Sequence, residues 1–212
     1  MPATDYLTAF VTLFVVIDPI GLAPVFIALT SGVPAAKRRS IGFRAVTIGA
    51  GLLTLFGLFG RNILDGIGIS MPAFRIAGGV LLFLTALDML FERRTKRREG
   101  QGEEHVQDPD HDDPSVFPLA TPLIAGPGAM ASMILLMGQG DGSTLHILAI
   151  LGVMLAVLAC VMALFAIAAP VERLLGRTGV MVVTRLLGML LAALAIQFIL
   201  DGLHRAGVTG VL

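Results

Sequence analysis

The chain has 212 residues, of which 56% are hydrophobic and only 14% charged, and its mean hydropathy is +0.88. A water-soluble domain carries about a quarter charged residues, so these values exclude one and point to an integral membrane protein. Its 15 basic and 15 acidic residues cancel, which leaves no electrostatic basis for holding a nucleic acid, and the single cysteine, Cys160, excludes a disulfide framework.

A bilayer core about 30 Å thick takes about 20 residues of helix. Six apolar segments reach that length: Tyr6 to Thr30, Ile41 to Gly60, Pro72 to Phe91, Ser115 to Met137, Leu145 to Ala169 and Val180 to Leu200. No Lys or Arg precedes the first, and no small-residue cleavage site follows it. It is therefore expected to remain as a span rather than to act as a signal peptide.

The first span is interrupted by Asp18-Pro19-Ile20-Gly21-Leu22-Ala23-Pro24. Asp at an N-cap with Pro in the first turn opens a helix, and a residue before proline leaves the α region. The expectation is a half-helix ending near Ile17, a turn, and a second half-helix. The second span is rich in small residues (Gly42, Gly49, Ala50, Gly51, Gly57) that let helices approach closely. The third carries Arg75 about one turn inside its start, with Thr85 and Asp88 further on.

Residues 92–114 form the one polar segment of any length. It starts basic and turns acidic, with His105 and His111 among the acids. No defined metal motif fits this spacing, and the composition is that of a solvated linker. The fourth span contains Thr121-Pro122-Leu123-Ile124-Ala125-Gly126-Pro127-Gly128. At an offset of 103 it copies the first interruption, with Pro19 on Pro122, Ile20 on Leu123 and Pro24 on Pro127. Thr121 before Pro122 reads as the matching N-cap. The fifth span has no charged residue, and the sixth carries Arg185 and Gln197. Thr85 and Gln197 each need only a helix–helix hydrogen bond.

Basic residues orient the chain. Lys37, Arg38 and Arg39, then Arg93, Arg94, Lys96, Arg97 and Arg98, then Arg173 and Arg177 lie in the loops after spans one, three and five; Arg61 and Arg205 lie on the other side. Both termini are thus expected outside, and the 92–114 loop in the cytoplasm.

A further match aligns the third and sixth spans. Met71, Arg75, Gly78, Leu81 and Leu84 recur as Met181, Arg185, Gly188, Leu191 and Leu194, at an offset of 110. Residues 1–91 and 115–212 then read as two three-span units. With an odd number of spans, the second copy enters from the opposite side, which makes an inverted-topology repeat. The fold expected is all-α, with six transmembrane helices as two inverted repeats and helices one and four broken at Pro/Gly motifs.

Breaking a helix inside a membrane frees backbone groups that lipid cannot satisfy. Paired breaks in the two halves of a chain mark a transporter's binding site. The residues assigned to it are Asp18, Pro19, Ile20, Gly21, Thr121, Pro122, Gly126, Pro127 and Gly128. Helix N-termini there would receive a carboxylate, and Asp18 or free carbonyls an ammonium, so a small zwitterion suits the gap. Asp18 serves either as a cap alone or also as a contact for substrate or proton. Arg75 and Arg185 are assigned to architecture or gating. No nucleotide-binding loop of the G-x-x-x-x-G-K type is present, so ATP drive is not expected, nor is any cofactor, metal or enzymatic centre. An exporter of other solutes or drugs, and a non-transporting assembly or regulatory protein, are the competing readings.

The blocks "DPIGLAPVF", "GISMPAFRIAGG", "PLATPLIAGPGA" and "TRLLGMLLAALAIQFILDG" resemble the MarC/SnatA family of bacterial and archaeal inner-membrane proteins. That resemblance implies six helices and transport of small neutral amino acids such as glycine and alanine, proton-coupled in some members. It places the family's break motifs on Asp18 to Gly21 and Gly126 to Gly128, and its helix-three and helix-six arginines on Arg75 and Arg185. The oligomeric state is not legible, because small-residue faces serve packing within a chain and between chains alike.

Overall fold

The computed structural model describes residues 3–91, 93, 113–139 and 143–208. Most of the 92–114 linker, with His105 and His111, lies outside the described residues. The described residues form eight helical segments: α1 (Ala3–Ile17), α2 (Pro19–Leu29), α3 (Ala35–Gly66), α4 (Met71–Leu90), α5 (Ser115–Ile124), α6 (Pro127–Met137), α7 (Thr144–Ala166) and α8 (Ala168–Arg205). Their starts follow local chemistry. Ser70 caps α4 and Ser143 caps α7 through hydroxyls that accept backbone N–H groups, with Pro72 in the first turn of α4.

The outer helices are longer than the sequence reading allowed. α3 runs 32 residues, because the basic stretch Lys37–Arg39 is already helical. α8 runs 38 residues, so the loop placed before the sixth span is itself largely helix; it bends at Gly176, whose φ of 60° and ψ of 177° suit only glycine.

Two glycine-mediated packings hold the bundle together. α3 turns its small residues to the second broken span. A methyl at Gly49 would overlap Ile124, one at Gly60 would overlap Ile134, and Gly57 lies against Met133 and Met137. Gly51 faces open space instead. The other packing joins α4 and α8 in antiparallel contact. A methyl at Gly79 would come within 2.8 Å of the Ala195 carbonyl oxygen, one at Gly188 within 3.2 Å of that of Ala86, and one at Gly202 within 3.1 Å of that of Pro72. Backbone thus touches backbone along a heptad line, 72, 79 and 86 on α4 against 188, 195 and 202 on α8.

Val182, Met189 and Ile196, which lie off this line, are exposed. Arg75 and Thr184 are both buried, whereas Arg185, which matches Arg75 in sequence at an offset of 110, is exposed.

Candidate functional site

Asp18 is the hinge of the first interruption. It is fully buried and takes the left-handed conformation, φ 56° and ψ 67°, the one non-glycine residue with positive φ among those described. Its carboxylate accepts the N–H of Gly21 at 3.1 Å, which is the N-cap bond expected from an acid before Pro19. The main chain stays largely connected: Asp18 donates to the Phe14 carbonyl at 2.9 Å and receives the Leu22 N–H at 3.1 Å. Pro19 and Pro24 have no N–H for the carbonyls of Val15 and Ile20. α1 and α2 together still make one apolar span, Tyr6–Leu29. The interruption is therefore a one-residue kink, not the open turn expected.

The second interruption is wider. Phe117 and Thr121 are extended, each followed by a cis proline bond. The Ala125 N–H reaches back to the Ala120 carbonyl at 2.9 Å, a wide turn, and α6 then leaves at 55° to α5. Thr121 is exposed and caps nothing; the new helix opens five residues later, with Gly126 as N-cap and Pro127 in its first turn. Three X-Pro pairs stand in this segment, at Pro118, Pro122 and Pro127, and the helix begins at the third. Gly126 is pinched against the Pro122 carbonyl, where a methyl would sit at 2.6 Å.

The two interruptions meet. A methyl on Gly128 would lie 3.3 Å from Val16 Cγ1, 3.6 Å from Leu82 Cδ2 and 3.7 Å from Thr85 Oγ1. The start of α6 therefore rests on the last turn of α1, two residues before Asp18, and on the middle of α4. Sequence reasoning had passed over two buried hydroxyls: Ser132 in α6, which donates to the Gly128 carbonyl at 2.9 Å, and Thr12, one turn before Val16 on α1, which donates to the Thr8 carbonyl at 2.8 Å. Thr85 bonds the Leu81 carbonyl at 2.9 Å, so it serves its own helix rather than a neighbour. Of the assigned residues, Asp18 and Pro19 are buried, Ile20, Gly21, Pro122, Gly126 and Gly128 half-buried, and Thr121 and Pro127 exposed.

A second polar cluster lies at the other end of α1. The Arg75 guanidinium stands 3.7 Å from the Asp201 carboxylate, whose other oxygen accepts the Gln197 amide at 2.8 Å. Arg75 thus pairs with a carboxylate on α8, and Gln197 bonds within its own helix. Asp201 was not singled out from sequence. Its signal was the Gln197–Asp201 spacing of four residues, which stacks the two side chains on one helix face. Nearby, His146 is buried with Nε2 on the Leu136 carbonyl at 2.9 Å, and its Nδ1 meets no hydrogen-bond partner. Among the described residues no three His, Cys, Asp or Glu side chains gather as a metal site.

Five helices are long and apolar enough to cross a bilayer, and the bent α5–α6 pair passes the same test when taken as one span. The class is a polytopic, all-helical membrane protein with an interrupted interior. The chain belongs to the MarC family: residues 3–206 match it, described as "MarC family integral membrane protein". It is 39% identical over 198 residues to a UPF0056 membrane protein of Archaeoglobus fulgidus, covering 93% of this chain and 92% of that one. It is 36% identical to the UPF0056 membrane protein YhcE of Escherichia coli, covering 93% and 91%. It is 35% identical to YvbG of Bacillus subtilis, covering 92% of each chain. No solved structure matches.

Proposed function

We propose that this protein is a secondary transporter of small neutral amino acids, glycine- or alanine-like, seated in the cell's inner membrane with both termini outside. The observation that carries this reading is the contact of Gly128 with Val16. It joins two interrupted spans in the interior, where half-helix ends offer N–H groups and carbonyls to a zwitterion. Asp18 lies beside this junction and supplies an acid for the ammonium or for a coupling proton.

The packing pattern supports a carrier built of two opposed halves. Exchanging spans one to three with four to six keeps most of the larger packings in place, though not that of α1 on α8. α4 on α8 and α3 on α7 map onto themselves, whereas α1 on α6 would exchange with α2 on α5, which is not among the principal packings. The packing of α3 on α5 and α6 exchanges with that of α7 on α1 and α2, and α2 on α8 exchanges with α6 on α4. In such a carrier one half rocks against the other, so the junction is open first to one side and then to the other.

The test is flux in proteoliposomes. Purified protein should exchange labelled glycine and alanine across the bilayer, with a rate altered by an imposed proton gradient, and should leave phenylalanine behind. Absence of flux for every small neutral amino acid, in both directions, overturns the proposal.

A further inference from the structure

The cluster around Asp201 borders a cavity that the junction of broken spans does not use. Its volume is about 130 Å³, and its walls are Thr8 of α1, Leu136 at the end of α6 with Gln139 just beyond, and Leu194, Gln197, Phe198 and Asp201 of α8. Thr8 is ten residues from Asp18 along α1, which at helical rise is about 15 Å. Leu136 is nine residues beyond Pro127 on α6, about 14 Å in the same sense. The cavity is thus a separate place, near the end of the bundle that carries both termini.

Its chemistry is that of a zwitterion site. Asp201 is the one acidic wall residue, and its side chain is 42% exposed, so a ligand can reach it. Behind it the buried Arg75 faces the carboxylate without lining the cavity. The Arg75 contact, at 3.7 Å, is longer than a direct charge-assisted hydrogen bond, which leaves that oxygen open to a closer ammonium. Thr8, Gln139 and Gln197 bring a hydroxyl and two amides, able to donate to a carboxylate. Leu136, Leu194 and Phe198 make the rest of the wall apolar. At about 30 Å³ per liquid water, the space matches only a few waters, well under the 300 Å³ at which drug-sized pockets begin.

We infer that this cavity is a second binding station for a small α-amino acid. Asp201 takes the ammonium, the Thr8 and Gln139 side chains take the carboxylate, and the short side chain faces Leu194 and Phe198. The station admits solute at the termini-bearing end before it moves about 15 Å inward to the junction. Its ligand identity rests on the carrier reading above, but its position and walls do not.

The test measures labelled glycine bound at equilibrium to the purified protein in nanodiscs, alongside glycine exchange in proteoliposomes. Leu194→Trp fills the cavity without touching a charge, and Asp201→Asn removes the ammonium partner. Both should lose bound glycine and raise the KM for exchange about tenfold, equivalent to about 1.4 kcal/mol, with kcat far less affected. Leucine should not compete. Should Asp201→Asn fail to fold because Arg75 is stranded, Leu194→Trp carries the test alone. Glycine binding and KM unchanged in a folded Leu194→Trp overturn the second station and leave the carrier reading standing. A wild-type protein that neither binds nor exchanges glycine or alanine overturns both.

Discussion

Arg75 and Asp201 form an uneven pair across the α4–α8 packing: the arginine side chain is 5% exposed and the aspartate 42%. Removing the carboxylate leaves a buried cation without its countercharge, whereas removing the guanidinium leaves Asp201 with Gln197 and solvent. Asp201→Asn should therefore cost about 1 to 3 kcal/mol, the range for stranding a buried polar group. Arg75→Met, which keeps the apolar stem, should cost less. The double variant should be little worse than Arg75→Met alone. A double-mutant cycle on unfolding in detergent reads the coupling. Strict additivity would mean that the two charges do not sense each other.

The α4–α8 contact makes a sharper claim about single methyl groups. Gly79→Ala pushes Cβ to within 2.8 Å of the Ala195 carbonyl oxygen and 3.1 Å of the Ile199 nitrogen, both backbone atoms that cannot rotate away. The helices must separate, at about 1 to 3 kcal/mol for an overpacked interface. Gly51→Ala meets nothing within 4 Å and should gain up to about 1 kcal/mol of helix propensity. Thermal unfolding of the two variants should move in opposite directions. Equal shifts would remove the close approach.

The all-helical membrane fold, the helix boundary at Asp18 and the role of small residues in α3 were legible, because each follows from local chemistry: length of apolar run, an acid before proline, missing side chains. What was lost depended on tertiary context. In the fourth span three X-Pro pairs offer helix starts, and sequence alone does not say that the chain stays irregular past Thr121 and opens α6 at Gly126. The match of Arg75 with Arg185 did not say which of the two is buried, because a sequence match carries no information on which helix face packs. Gly188 and Thr184 face inward, while Met189 and Arg185, one residue or about 100° of helix rotation away, face outward. Asp201 was passed over because an acid near a helix end needs no special explanation until a buried arginine is found opposite it.

Asp18 allows conformation and charge to be separated. At φ 56°, asparagine is tolerated almost as well as aspartate, and it caps as well. Asp18→Asn should therefore unfold within about 0.5 kcal/mol of the parent chain. Asp18→Ala loses the cap, about 1 kcal/mol, and carries a further 1 to 2 kcal/mol, roughly, for a left-handed alanine. If the carboxylate handles a coupling proton, Asp18→Asn should abolish the response of glycine exchange to a proton gradient. An unchanged response in Asp18→Asn would restrict Asp18 to shaping the kink.

Asp113, just ahead of α5, ties that segment to α3 through an ion pair with Arg44. Partial burial pushes its carboxyl up, but hydrogen bonding by Ser115, whose N–H donates at 3.0 Å, and then the charges of Arg44 and Lys37 pull harder, so it titrates below the usual carboxylate range. A carboxyl lowered on folding contributes stability above its unfolded pKa, about 3.9, and loses it as pH falls through the lower folded value. Both side chains are substantially exposed, 57% for Arg44 and 32% for Asp113, so the contribution is at most about 1 kcal/mol and shrinks with salt. Unfolding should show Asp113→Asn less stable than the parent chain at pH 7 by that amount, with the gap closing as pH falls below about 4 and narrowing in 1 M salt. A gap that persists unchanged at pH 2 would assign the loss to packing rather than to the charge.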